Sequence, residues 1–153
     1  MTRHFAIAAA IVAFLAAAGQ ARAEDSTANA AAEATYKEIE QAIGFVPEFV
    51  KAFPKASIAG TWQQERDLEL SDKTALTPKV KALISLAVAA QIPCQYCIYA
   101  DTLSAKGFGA SEEEIKEAVA MAALTRSTST VLNGMQVDMT TFRKETDRMM
   151  TQK

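Results

Sequence analysis

Histidine is almost missing from this chain, and the single one, His4, lies in a segment with the form of an export signal. Met1-Thr2-Arg3-His4 is a short basic start. Phe5 to Ala18 is an almost unbroken apolar run. Ala21-Arg22-Ala23 gives the small-x-small pattern that signal peptidase reads, and acidic Glu24-Asp25 follow. The apolar run is too short for a comfortable membrane span. Cleavage near Ala23 is therefore expected, which assigns residues 1–23 to a signal peptide and the protein to the periplasm or the exterior. The remaining 130 residues hold no histidine and no membrane span. That excludes Ser-His-Asp and Cys-His catalysis, and any zinc site with imidazole ligands.

Cysteine is also scarce, with Cys94 and Cys97 alone. Two thiols without histidine fall short of the four ligands of a structural zinc site. Haem attachment needs a histidine directly after the second cysteine, where Ile98 stands. No cofactor or metal is expected. Basic charge is limited too. Loss of Arg3 and Arg22 lowers Lys+Arg from 16 to 14 against 18 acidic residues, moving the net charge from −2 to −4. No nucleic-acid groove or basic membrane-binding face is implied. Alternation of period two, the mark of strands, is absent as well. A thioredoxin fold, which needs strands around its Cys-x-x-Cys, is excluded.

What the chain does contain is helix after helix. Residues 24–35, alanine-rich and polar, are expected to be a flexible lead. One domain then spans residues 36–150. Tyr36, Ile39, Ala42 and Ile43 sit at helical spacing, with Gly44 as the stop. Phe45-Val46-Pro47 opens a short helix through Phe53, and Pro54 ends it. Residues 55–70 form a third helix, with Ile58, Trp62 and Leu68 facing inward. Thr77 is a good N-cap and Pro78 has its φ preset for the first turn. Val80, Leu83, Ile84, Ala87 and Val88 follow as a buried stripe, until Pro93 breaks the helix. The next helix carries Cys94 to Lys106, stopped by Gly107. Ser111 with Glu114 forms a capping box ahead of Ile115, Ala118, Val119 and Ala122. A last helix runs from about Thr130 to Met150, with Met135, Met139, Phe142 and Met149 as contacts. The fold class is all-α, an orthogonal or bundle-like array without internal repeats.

A disulfide between Cys94 and Cys97 would close a very short loop and so add little stability by constraining the unfolded chain. Redox use is favoured over structural stapling. Pro93 puts Cys94 in the first turn of its helix, where unpaired N–H groups and the helix dipole favour a thiolate. The plain alternative is an oxidised pair that never turns over.

These residues resemble the alkylhydroperoxidase D-like, or carboxymuconolactone decarboxylase, family. The resemblance rests on Leu76-Thr77-Pro78-Lys79-Val80-Lys81, the apolar run Leu83 to Ala90, Cys94-Gln95-Tyr96-Cys97-Ile98, and Gly107-Phe108-Gly109-Ala110-Ser111-Glu112-Glu113-Glu114-Ile115, with Gly44-Phe45-Val46-Pro47 as a leading segment. It covers about residues 36–130. It implies an all-helical subunit that assembles into a trimer or hexamer and acts as a thiol peroxidase or disulfide reductase, on a peroxide or disulfide substrate and with a thiol electron donor. By the same resemblance Cys97 is the peroxidatic thiol and Cys94 the resolving one, although position alone favours Cys94 as the thiolate.

Two positions depart from the peroxidase pattern. Asp101 stands where that pattern has a histidine, four residues after Cys97, and Ala82 stands where it has a glutamate. The proton relay is thus missing both parts. Asp101 shares a helix face with Cys97, and an ionised carboxylate there raises the thiol's pKa; a desolvated Asp101 could itself carry a proton. The expected function is an exported Cys-x-x-Cys thiol–disulfide oxidoreductase with weak peroxidase activity. Alternatives are a non-enzymatic helical oligomer with a vestigial disulfide, and a decarboxylase of lactone acids, whose branch works without a cysteine pair. Tyr96 and Tyr99 could hydrogen-bond a sulfur or substrate but read more simply as surface or interface aromatics, and Trp62 and Met121 as core; Arg126, near the end of its helix, could sit by a sulfur or an anion but reads more simply as a C-terminal dipole partner.

Overall fold

The computed structural model describes residues 25–152, so the signal-peptide segment lies outside the described residues. Every regular element among them is helical, as an all-α fold requires. The chain divides into two compact units, one ending at Ser71 and one beginning at Asp72.

In the first unit, α1 covers residues 25–43. The segment expected as a flexible lead is thus helical from residue 25. Ala28, Ala30, Ala31, Ala32 and Ala34 supply the strongest helix-forming composition, and Thr35 and Ala32 continue the buried stripe of Ile39 one and two turns earlier. Thr35 is a buried polar residue, and its hydroxyl donates to the Ala31 carbonyl at 2.8 Å. Gly44 ends α1 at φ 94°, a conformation that favours glycine. A 3-10 turn, Glu48–Ala52, presents Val50, and α2, Lys55–Gln64, presents Ile58. Ala32, Ile39, Val50 and Ile58 form the core of this unit, with Tyr36, Val46 and Trp62 against it. The indole N–H of Trp62 is buried, with no hydrogen-bond partner among the described residues. Beyond Gln64 the helix widens into a π turn, Glu65–Glu69. This rotates the expected third helix off its register, and Leu68 is exposed instead of inward.

The second unit holds α3 (Pro78–Gln91), α4 (Gln95–Gly107), α5 (Glu112–Gly134) and α6 (Met139–Thr151). α3 packs against both α4 and α5. Its buried face is Lys81, Ala82, Leu86 and Ala89, whereas Val80, Ile84 and Val88, expected inside, are exposed. α3 is apolar almost all round, so periodicity cannot choose a face. The small residues go inward because Ala82 and Ala89, with Ala105 of α4 and Ala122 of α5, let the helices approach closely. Lys81 keeps its charge satisfied by donating to the Thr74 hydroxyl at 2.8 Å.

The helix ends follow their capping chemistry. The Thr77 hydroxyl accepts the Val80 N–H, and Ser111 and Glu114 form the full capping box. α4 closes in a Schellman motif, with Ala110 N–H donating to the Ala105 carbonyl and Gly109 N–H to that of Lys106. The left-handed residue is Gly109 (φ 83°), not Gly107, which stays helical. α5 runs through Ser127–Thr130, where a break was expected. Thr125 and Thr130 donate back to the carbonyls of Met121 and Arg126, so these hydroxyls do not compete with the helix. The break falls at Gln136 (φ 52°), which closes a second Schellman motif through Gln136 N–H to Asn133 and Val137 N–H to Leu132. Asp138 then caps α6 by accepting the Thr141 N–H at 2.8 Å. α6 buries no residue. Met135, Met139, Phe142 and Met149, expected as contacts, are all exposed in the single chain.

Two substitutions test the second Schellman motif against the first. Gln136→Gly should raise stability by up to about 1 kcal/mol, and Gly109→Ala should lower it by about 1 kcal/mol, in denaturant titrations. A further test concerns the ion pair Lys79–Glu114, 2.8 Å long, which ties the first turn of α3 to the first turn of α5. The hydrogen bond from Lys79, and then that from the Ser111 backbone, hold the Glu114 carboxyl below its ordinary value of 4.5. Its contribution is therefore complete above pH 4.5 and lost as pH falls below it. Glu114→Gln should flatten that part of the stability–pH curve, lowering stability slightly at neutral pH and leaving it nearly unchanged in acid, where the carboxyl is already protonated.

Candidate redox site

α3 ends at Gln91, and Ile92 and Pro93 form the turn that leads into α4. Cys94 N–H donates to the Ala89 carbonyl at 3.1 Å, which anchors the turn on α3. Cys94 is the N-cap of α4, and Cys97 lies in the helix's first turn. The two are joined by a disulfide, with Cα atoms 5.3 Å apart. The Cys94 sulfur also accepts the Cys97 backbone N–H at 3.2 Å. A sulfur thus takes the place usually held by a Ser, Thr or Asp oxygen at an N-cap. When the pair is reduced, a thiolate at Cys94 is a far better acceptor for that N–H than a disulfide sulfur, and it sits at the positive end of α4. Both cysteines are half-buried, so exchange partners can reach them.

The other positions singled out in the sequence separate. Asp101 is half-buried on α4, one turn after Cys97 and about 5–6 Å from it between Cβ atoms by helix geometry. Ala82 is buried on α3 at 2% exposure and carries no titratable group. Tyr96 and Tyr99 are exposed, Tyr96 at 91%. Met121, expected in the core, is exposed as well. Trp62 packs against the core of the first unit.

Arg126 does something the sequence reading missed. α5 continues eight residues past it to Gly134, so Arg126 is not near the end of its helix. Its Nε donates to the Gln91 side-chain oxygen at 2.7 Å, and its Nη2 donates to the Gln91 backbone carbonyl at 3.2 Å. Gln91 Nε2 in turn donates to the Ala122 carbonyl. The guanidinium therefore caps the C-terminus of α3, not its own helix. Gln91 carries no pattern that marks it in the sequence, since its partner lies 35 residues away.

The carboxymuconolactone decarboxylase family profile matches residues 57–138. With it stand the all-helical fold and the Cys94–Cys97 disulfide. The chain belongs to the carboxymuconolactone decarboxylase family. Among solved structures, the crystal structure of the alkylhydroperoxidase AhpD core from Rhodospirillum rubrum is similar, at 28% identity and a TM-score of 0.62 over 76% of this chain and 87% of that one. The comparison with curated proteins gives no match. Fold, family and disulfide pair together support a redox role.

A disulfide that spans so few residues should matter little to stability. Reduction is expected to cost no more than about 2 kcal/mol, seen as a shift of a few degrees in the melting temperature with and without a dithiol reductant. A collapse of the fold on reduction would mark the bridge as a structural staple.

Proposed function

We propose that this protein is an exported thiol–disulfide oxidoreductase in which Cys94 and Cys97 cycle between dithiol and disulfide. The observation that carries this reading is the Cys94 sulfur at the N-cap of α4, accepting the Cys97 N–H. In the reduced protein a Cys94 thiolate attacks one sulfur of a substrate disulfide. That S–S bond breaks, a mixed disulfide forms, and one substrate thiolate leaves. The Cys97 thiol gives its proton to solvent and attacks the Cys94 sulfur, which releases the second substrate thiolate. The substrate gains two electrons and the protein regains its disulfide. A dithiol donor resets the pair by the same steps in reverse.

Peroxide reduction is the extension that the family likeness supplies. In that reaction the Cys97 thiolate attacks the peroxide, the O–O bond breaks, and a sulfenic acid and an alcohol form. Cys94 then condenses with the sulfenic acid to give the disulfide and water. The alcohol oxygen needs a proton and the thiol must lose one, which is the work of a relay. Ala82 offers none, and an ionised Asp101 disfavours the Cys97 thiolate. Weak peroxidase activity follows. Oligomer assembly, as a trimer or hexamer, fits the apolar side chains left exposed on the single chain. Leu124 and Val131 line one side of α5 with Met135 at its C-cap, and Met139, Phe142 and Met149 stand on α6.

Thiolate absorbance in the reduced protein, followed against pH, tests the central reading. One thiol is expected to ionise below the ordinary value of about 8.5, and that step should vanish in Cys94→Ser but persist in Cys97→Ser. Two thiols titrating at or above that value would contradict the assignment. For the peroxide extension, consumption of an alkyl hydroperoxide should be slow in the natural protein. Rates matching a relay-bearing family member, and lost in Cys97→Ser, would overturn the claim of weakness.

A further inference from the structure

An open groove of about 480 Å³ runs between α3 and α5. Its walls are Ile84, Ala87 and Val88 of α3 and Met121 of α5, and Gln91 and Arg126 stand together at one part of it. The size lies within the range of small-molecule sites, and so does the make-up, an apolar trough with few polar groups. The groove does not use the alanine face of α3, which is already buried. It occupies a different side of α5 from Leu124 and Val131, because Met121, Ala122, Thr125 and Ser129 recur at steps of one, three and four.

The polar group is specific. Arg126 uses its Nε and one Nη2 hydrogen on Gln91. This fixes the plane of the guanidinium and leaves the end-on edge, one hydrogen from each terminal nitrogen, for a second partner. Among the described residues no carboxylate lies within ion-pair distance of Arg126. A fork of two parallel N–H groups matches one carboxylate. A single guanidinium beside an apolar trough balances one negative charge on an apolar body, not a phosphate with two.

We infer that the α3–α5 groove binds an alkyl-chain carboxylate, with the carboxylate on the end-on edge of Arg126 and the chain along Ile84, Val88 and Met121. The site lies close to the redox pair along the chain. At most about 11 Å of extended backbone separates the Cα atoms of Gln91 and Cys94. Arg126 also caps the helix whose end leads into the Cys94 turn, so an occupied groove and the cysteine pair share one support. Binding itself involves no electron transfer, and it stands independently of the redox assignment.

Calorimetric titration of the full chain with dodecanoate, dodecanol and butyrate tests the site. Dodecanoate is expected to saturate one site per chain, with dodecanol and butyrate each about tenfold weaker or worse. Arg126→Gln should weaken dodecanoate by about tenfold and leave dodecanol unchanged. Because Arg126 also caps α3, Ala87→Phe provides a second variant that fills the groove without touching the cap, and it should abolish binding of both long-chain ligands. Cys94→Ser/Cys97→Ser should bind dodecanoate as the natural chain does, which keeps a failure of the redox reading distinct from a failure of this one. Dodecanol binding as tightly as dodecanoate would overturn the inference. So would dodecanoate affinity unchanged in Arg126→Gln, or an Ala87→Phe chain that changes its oligomeric state, since a second copy would then be the occupant.

Discussion

The close approach of α3 to α4 and α5 is the constraint from which the second unit follows. It depends on alanine: Ala82 and Ala89 on α3, Ala105 on α4 and Ala122 on α5, with Leu86 as the one large side chain fully inside. Small residues bring helix backbones together, so larger apolar side chains on α3 are displaced to its outer face. That displacement creates the groove beside Ile84 and Val88. The same closeness sets the tight turn after Gln91, in which Cys94 N–H reaches the Ala89 carbonyl and Cys94 becomes the N-cap of α4.

Two charge effects act on the cysteine pair from opposite ends of the first turn of α4. At Cys94 the free end of the helix and the Cys97 N–H favour a thiolate. At Cys97, an ionised Asp101 one turn later disfavours one. In the proposed cycle these two effects would make the reduced thiols unequal, as directed exchange needs: one attacks, the other resolves. The family peroxidase arrangement reverses these roles, with proton-transfer groups that Ala82 and Asp101 do not reproduce. Disulfide exchange asks for no such relay, and this is why the proposal rests on exchange.

Much of this was legible in the residues. The caps Thr77 and Ser111-Glu114, the break at Pro93 and the cysteines at a helix start are local chemistry, and each is found where the sequence places it. The errors have a common cause. Which face of α3 turns inward, and whether Met121, Met135 or Met149 is covered, are questions about neighbours, and an all-round apolar helix gives no local answer. Residues 25–35 look like a lead by their polarity, yet alanine content and the contact of Ala32 and Thr35 make them helix. The run of serines and threonines in α5 looks like a break, yet the helix continues through it, and the hydroxyls of Thr125 and Thr130 bond back to its carbonyls. At the site, the pair itself was visible, while Gln91 with Arg126 was not, because their bond spans two helices and no spacing rule reaches it.

The reduction potential of the Cys94–Cys97 couple, measured by equilibration with defined thiol–disulfide buffers, tests the account most directly. A short bridge at a helix start, with its reduced form favoured by an N–H and the helix dipole, should equilibrate at a value more oxidising than about −300 mV, in the region of about −270 to −120 mV spanned by exchange enzymes. A potential well below about −300 mV would mean a bridge that stays closed, and would contradict the claim that these two cysteines turn over.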